Sequence, residues 1–448
     1  VAVVALLAGA AAAFLLLHAP GNVSHPNVEF TRPASTAPSP ARPAALFAWP
    51  RYGYDAARTR FFAGAPSLRP PFRTGWRFPD HALLEFPPVI YGDTLYLIDD
   101  DGSAKAIDKR TGRKLWETKV GTLAASSPAL GIKQGLVFLT VLSVNPSATG
   151  SQVPGNGRVV ALSMRGGRVV WSRHLPAGSE SSPLAWGDSV YFGDQGGTVY
   201  SLDAATGRVN WTYHASGAVK GGPALADGKL FFGDYSGRAY ALNPRTGRRV
   251  WAVTTSGAAF GFGSGNFYST PAVAFGRVYM GNTDGRVYSF AQRNGQLAWA
   301  TATGAYVYAS PAVADLPGIG PTVYLGSYDG RFYAFNAQSG AVRWSHPAGG
   351  RISGSATIVG HIVYYSTLGS KTTTGLDART GREVFFYRDG AFNPVVCDDG
   401  ALYLTGYSTL YQLLPAGRAG PSAQRAGVAG PAGGQHTNRS PKPRKRRR

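Results

Sequence analysis

The sequence predicts an all-β fold, an eight-bladed β-propeller of four-stranded antiparallel blades. Three observations predict it: a composition rich in turn residues and poor in charge, a phrase that recurs about every 40 residues, and a tryptophan at a fixed place in nearly every recurrence. Of 448 residues, 59 are Gly and 31 are Pro, and 15% are charged. Such a chain is too apolar for a disordered protein and too turn-rich for a helical one.

Val1 to Leu17 is an apolar run without charge, somewhat short of the roughly 20 residues that span a bilayer core. The chain opens on Val, and residues upstream are expected to supply extra length and flanking Lys or Arg. Residues 1–17 are therefore expected to form a transmembrane signal-anchor helix, with a cleaved signal peptide and a core helix as alternatives. Residues 18–45 carry six prolines and are expected to form an extended stalk. Residues 46–415 hold the repeats.

Residues 416–448 are rich in Gly, Ala and Pro and end in PKPRKRRR, too polar to bury a core, so a solvated basic tail is expected. The formal charge is +21, and nine basic residues lie beyond Pro415 without an acid. An anionic lipid or wall polymer is the partner considered for this tail; nucleic acid is not expected behind a membrane segment.

Within the repeats, a small residue and a Pro precede a short apolar strand, a second strand ending in Gly, a third strand, a Thr-Gly turn and a Trp. The Pro positions are 88, 128, 183, 223, 271, 311 and 394, with Ala356 replacing one. The aromatic positions are Trp76, Trp116, Trp171, Trp211, Trp251, Trp299, Trp344 and Phe385. Seven periods of 40, with departures of 15, 8, 5 and 1 residues, account for the 309 residues between Trp76 and Phe385. Each unit reads as a four-strand meander with tight Gly turns. One such sheet is apolar on both faces and needs neighbours around an axis. The eighth unit lacks a Trp strand of its own, and the Trp76 strand has no earlier strands to join, so these two are expected to close the ring.

The segment before each Trp spells A-x-D-x-x-T-G-x-x-x-W, in full at Ala106, Asp108, Thr111, Gly112 and Trp116. This resembles the tryptophan-docking motif of pyrroloquinoline-quinone (PQQ)-like eight-bladed propellers, a family that includes quinoprotein alcohol dehydrogenases and the non-catalytic propeller lipoprotein of outer-membrane assembly. The resemblance covers residues 46–415 and implies that the seven Trp rings and Phe385 are structural, wedged between blades. Departures at Ser163, Gly166 and Gly167, and at Phe385, imply weaker joints there. Trp49-Pro50-Arg51-Tyr52-Gly53-Tyr54-Asp55 with Thr59-Arg60 is similar to the segment that precedes the first blade in many such proteins.

The dehydrogenase branch of the family implies PQQ with calcium, an Asp base and often a disulfide of adjacent cysteines. The single Cys397 excludes that disulfide, and no catalytic or metal residue is assigned. Asp99-Asp100-Asp101-Gly102 has no Glu at the calcium-loop distance and occupies an ordinary turn slot. His174, His214 and His346 follow blade tryptophans and belong to the architecture. The insertions around Ser143 to Gly157 and Gly257 to Tyr268 are expected on one face, where Phe260, Phe262, Phe267 and Tyr268 are the candidate exposed residues for a protein partner or envelope ligand. The expected function is a single-pass, cell-membrane-anchored extracytoplasmic scaffold that binds protein without a cofactor. The alternatives are a ligand-sensing receptor ectodomain or a PQQ-dependent dehydrogenase.

Overall fold

The computed structural model describes residues 21–32, 46–64, 67–144, 156–255 and 265–417. Among these, eight antiparallel meanders follow one another. Blade 1 runs from the strand Val89–Tyr91 to Lys114–Lys119, blade 2 from Ala129–Gly131 to Val169–Leu175, and blade 3 from Leu184–Trp186 to Val209–His214. Blades 4 to 7 begin at Ala224–Ala226, Ala272–Ala274, Ala312–Leu316 and Thr357–Val359. Blade 8 takes three strands from Val395–Cys397 to Thr409–Pro415, and its fourth is Phe72–Pro79, paired antiparallel through Leu410 with Phe78 and Leu413 with Thr74. The run Val1 to Leu17 and the tail from Arg418 lie outside the described residues. No helix among those described is long and apolar enough to cross a membrane.

Inner strands are buried on both faces, as Leu136–Val141 shows, because each is sandwiched between neighbouring blades. Outer strands alternate, as in Lys114–Lys119, because one side packs on the next blade and the other meets solvent. Apolar clusters span blade pairs: Tyr96, Ala106, Leu139 and Val160 join blades 1 and 2, and Tyr279, Val287, Val323 and Phe335 join blades 5 and 6. The repeat works because no blade keeps its own core.

Residues 21–32, inside the expected stalk, are no spacer. Val23–Ser24 adds a fifth strand to blade 5, opposite Ala300 and Trp299. The buried Arg277 guanidinium donates to the carbonyls of Val28 and Glu29, and Arg32 Nε meets Asp315 Oδ2 at 2.6 Å. A guanidinium carries five donors and needs acceptors when it is covered; this strap provides them.

The segment Phe47 to Phe62 closes the axis at one end. An inner strand leaves edge N–H groups facing the centre of the ring, and unpaired buried donors are costly. Trp49 pairs with Ile90 in blade 1. The carbonyls of Pro50, Ala56, Ala57, Thr59 and Arg60 accept from Leu130, Leu225, Val273, Val313 and Ile358 at 2.7 to 2.9 Å. These six partners all stand two residues after the repeat's Pro or Ala356. Arg58, fully buried, fills the blade 3 sector by donating to Tyr52, Ser182, Pro183 and Pro223 carbonyls. Burial, then the neighbouring Arg60 and Arg51, pushes its pKa down.

Candidate functional site: the axial mouth and the joints around it

The joints fix where the axis lies. In seven blades the Trp ring lies against a glycine of the next blade: Trp76 on Gly112, Trp116 on Gly167, Trp171 on Gly207, Trp211 on Gly247, Trp251 on Gly295, Trp299 on Gly340 and Trp344 on Gly381. A Cβ at any of these glycines would stand 2.6 to 2.8 Å from a ring carbon, and each has φ between +68° and +76°, so the position is closed to other residues twice over. Each Trp Nε1 donates to a carbonyl of the same turn, from Lys109 for Trp76 to Ala378 for Trp344, at 2.9 to 3.1 Å.

The motif's acid holds the turn. Asp108 Oδ1 accepts the N–H groups of Arg110 and Thr111 and the Thr111 hydroxyl, and Asp203 and Asp377 do the same work in their blades. In the second blade, where the motif departs at Ser163, Trp116 still sits on Gly167 and donates to Met164 O at 3.0 Å.

Near the axis, the residue before each repeat Pro links blade to blade. The N–H groups of Ser127, Gly222, Thr270, Ser310 and Ser355 donate to the side chains of Ser182, Thr270, Ser310, Ser355 and Asn393 at 2.9 to 3.3 Å. Two residues earlier, the side chains of Glu85, Glu180, Lys220, Tyr268, Tyr308 and Ser353 line an axial chamber of about 40 Å³, floored by Tyr52.

The chamber is filled by its own chemistry. Lys220 Nζ pairs with Glu180 Oε1 at 2.8 Å, and the Tyr268 hydroxyl donates to Glu180 Oε2 at 2.9 Å. Burial, reinforced by Asp100 and Glu180, pushes Glu85 up to about 8. Burial and then Glu180 push the Tyr268 phenol well above its ordinary value. From the chamber a chain of tyrosines runs outward. Tyr235 and Tyr308 flank Tyr268 with ring centroids at 6.2 and 5.4 Å, and Tyr306 and Tyr328 lie 6.1 and 4.8 Å from Tyr308. Lys220 stands over Tyr235, Arg351 over Tyr328, and Tyr306 is 54% exposed.

Of the four aromatic candidates, Phe267 requires correction. Phe267 is fully buried in the core shared by blades 4 and 5, against Gly233 and edge-on to Tyr288. Its N–H is fixed to Asp234 O, which turns the ring inward. Tyr268 is partly buried in the chamber wall. Phe260 and Phe262, and most of the insertion around Ser143 to Gly157, lie outside the described residues. The connections that flank both insertions do share one face, since loops that enter each blade bond to turns between second and third strands, as in Tyr235 N to Ala218 O and Tyr328 N to Tyr306 O. Asp99, with Asp80, clamps Lys105 Nζ, and the ligand atoms of Asp80, His81 and Asp99 lie within 4.8 Å of one another. The sequence reading missed Glu85, Glu180, Lys220 and Tyr308. The signal was their common place three residues before the repeat Pro, where small residues stand in other blades.

Comparison with solved structures gives the fold context. BamB from Moraxella catarrhalis aligns at 17% identity and TM-score 0.61, covering 77% of this chain and 98% of that one. A europium-containing methanol dehydrogenase aligns at 14% and 0.66, covering 82% and 98%. A quinohemoprotein alcohol dehydrogenase from Pseudomonas putida aligns at 13% and 0.67, covering 88% and 83%. No curated protein matches the chain by sequence. Small-molecule sites occupy roughly 300 to 1,000 Å³, and the axial chamber lined by the described residues offers about 40 Å³. Cys397, the one thiol, is buried in the blade 8 core away from the chamber lining. The family model described as outer membrane protein assembly factor BamB matches residues 73–188, 100–316, 155–387 and 309–410, and this chain belongs to that family of PQQ-like propellers.

Proposed function

We propose that the chain is a non-catalytic binding scaffold, held at the cell membrane by residues 1–17 with the propeller on the extracytoplasmic side, and that the axial mouth captures a protein of the cell envelope. The observation that supports this reading is the Glu180, Lys220 and Tyr268 cluster, whose own ion pair and hydrogen bond occupy the axial chamber. The tyrosine sector from Tyr268 to Tyr306, flanked by Lys220 and Arg351, offers rigid aromatic area with cationic edges, the composition enriched at protein interfaces. The outer-membrane assembly role printed for the family's namesake supports an envelope partner by analogy of fold.

A photo-crosslinking residue placed at Tyr306 should trap a discrete envelope protein, and one at Val342 on the outer strand of blade 6 should not. Equal trapping at both positions, or at neither, sinks the reading. Titration with PQQ and Ca²⁺ should give no heat and no dye-linked alcohol oxidation; stoichiometric binding with turnover would replace the scaffold with an enzyme.

A further inference from the structure

Arginine is concentrated in one class of turn. Six of the seven continuous turns between third and fourth strands carry one or two exposed arginines, ten in all, represented by Arg110, Arg165, Arg208, Arg245, Arg293 and Arg379. These turns share a face with the turns between first and second strands, because Met164, Ala204, Gln292 and Ala378 donate backbone bonds to Gly135, Asp188, Gly276 and His361 at 2.8 to 2.9 Å. The repeat acids Asp194, Asp234, Asp284 and Asp329 sit in turns between second and third strands, on the opposite face. On the arginine face the motif carboxylates are engaged by turn N–H groups and the Thr hydroxyls. Among the described residues, one of the ten arginines has an ion pair, Arg110 with Asp93 at 3.9 Å.

Apolar groups stand among these charges. Leu115, Val170 and Val250, each two residues past the second arginine of its turn, are 54%, 41% and 48% exposed. Trp186, the last residue of the first strand of blade 3, is 51% exposed beneath the Arg51 guanidinium. We infer that this face docks on an anionic lipid bilayer. Positive charges spread around a rim, with indole and aliphatic side chains between them, match a plane of headgroup phosphates over an apolar layer. A linear polyanion is bound along a continuous basic track, and here the charged turns are set apart blade by blade.

The test is flotation of the full chain with phosphatidylglycerol–phosphatidylcholine vesicles and with phosphatidylcholine vesicles. The difference between the two removes any charge-independent insertion. A variant with Arg110→Gln, Arg165→Gln, Arg245→Gln and Arg379→Gln is compared with one carrying Lys442→Gln, Arg444→Gln, Lys445→Gln and Arg447→Gln, which removes the same charge from the tail. The turn variant should melt like the parent and lose on the order of a thousandfold of the anionic-lipid preference; the tail variant should keep most of it. Retention of the preference by the turn variant overturns the inference, as does its loss in the tail variant. So does a parent protein that binds soluble polyphosphate without preferring anionic vesicles.

Discussion

Phe385 meets Phe72 edge to face, with ring centroids 5.6 Å apart and planes at 85°, although the two residues come from opposite ends of the propeller sequence. Every other joint places a Trp over a continuous turn whose carbonyl accepts its Nε1–H. The blade that receives Phe385 has its third and fourth strands on separate stretches of chain, Thr409–Pro415 and Phe72–Pro79, so no such turn exists there. An indole would bury its N–H without an acceptor, and phenylalanine avoids that cost.

This gives a pair of substitutions with opposite meaning. Trp251→Phe should cost about 1 kcal/mol by removing the bond to Gln292 O, and Trp251→Ala about 3 to 5 kcal/mol through the cavity. Phe385→Trp should bring no gain. Urea denaturation of the three variants checks this, and a clear stabilisation by Phe385→Trp would contradict the account of the seam.

Glycines divide into two classes. Gly207→Ala drives a Cβ to 2.6 Å from the Trp171 ring and should cost several times more than Gly187→Ala, where φ is +61° but nothing lies within 4 Å. The second change should cost only about 1 kcal/mol of backbone strain. Thermal melts of the two variants, run side by side, make the comparison.

Arg58→Met keeps much of the stem and removes the donors that satisfy four buried carbonyls around the axis. A loss of about 3 kcal/mol or more is expected, since each stranded carbonyl carries its own penalty. Arg69→Met, on an exposed side chain, should be close to neutral. Calorimetric unfolding should show the difference, and equal effects would remove the plug from the list of stabilising elements.

Glu85 has a native pKa pushed up to about 8 by burial, against about 4.3 in an unfolded chain. The native state therefore holds the proton more tightly than the unfolded state. Its contribution to stability falls as pH rises from about 4.3 to 8 and is flat beyond, with an upper bound near 5 kcal/mol. Glu85→Gln should flatten that part of the pH profile and be relatively more stable at pH 9 than at pH 5. Denaturation midpoints at the two values decide it, and an unchanged slope would show that Glu85 ionises freely.

Much of the frame was legible because it repeats. The spacing of Pro and Trp located eight blades, and the A-x-D-x-x-T-G-x-x-x-W phrase with its variants marked the docking glycines Gly112, Gly207, Gly247 and Gly340. Phe267 was misread for the reason that loops usually expose their aromatics: it closes an insertion in the sequence, yet its N–H is tied to Asp234 and its ring seals a core. The strap at residues 21–32 was misread because proline content alone suggests a spacer, while the edge of blade 5 and the Arg277 donors recruit it.

The sequence by itself determined the blade count, the strand pattern and the ring of tryptophan joints, since these follow from local turn chemistry and period. Only the tertiary structure decided that Arg58 and the Phe47 to Phe62 segment plug the axis, that Glu180, Lys220 and Tyr268 meet in its mouth, and that the arginines share one face. The physical reason is that those groups are remote in sequence, and radial symmetry alone brings one position from each blade to a common centre or a common rim.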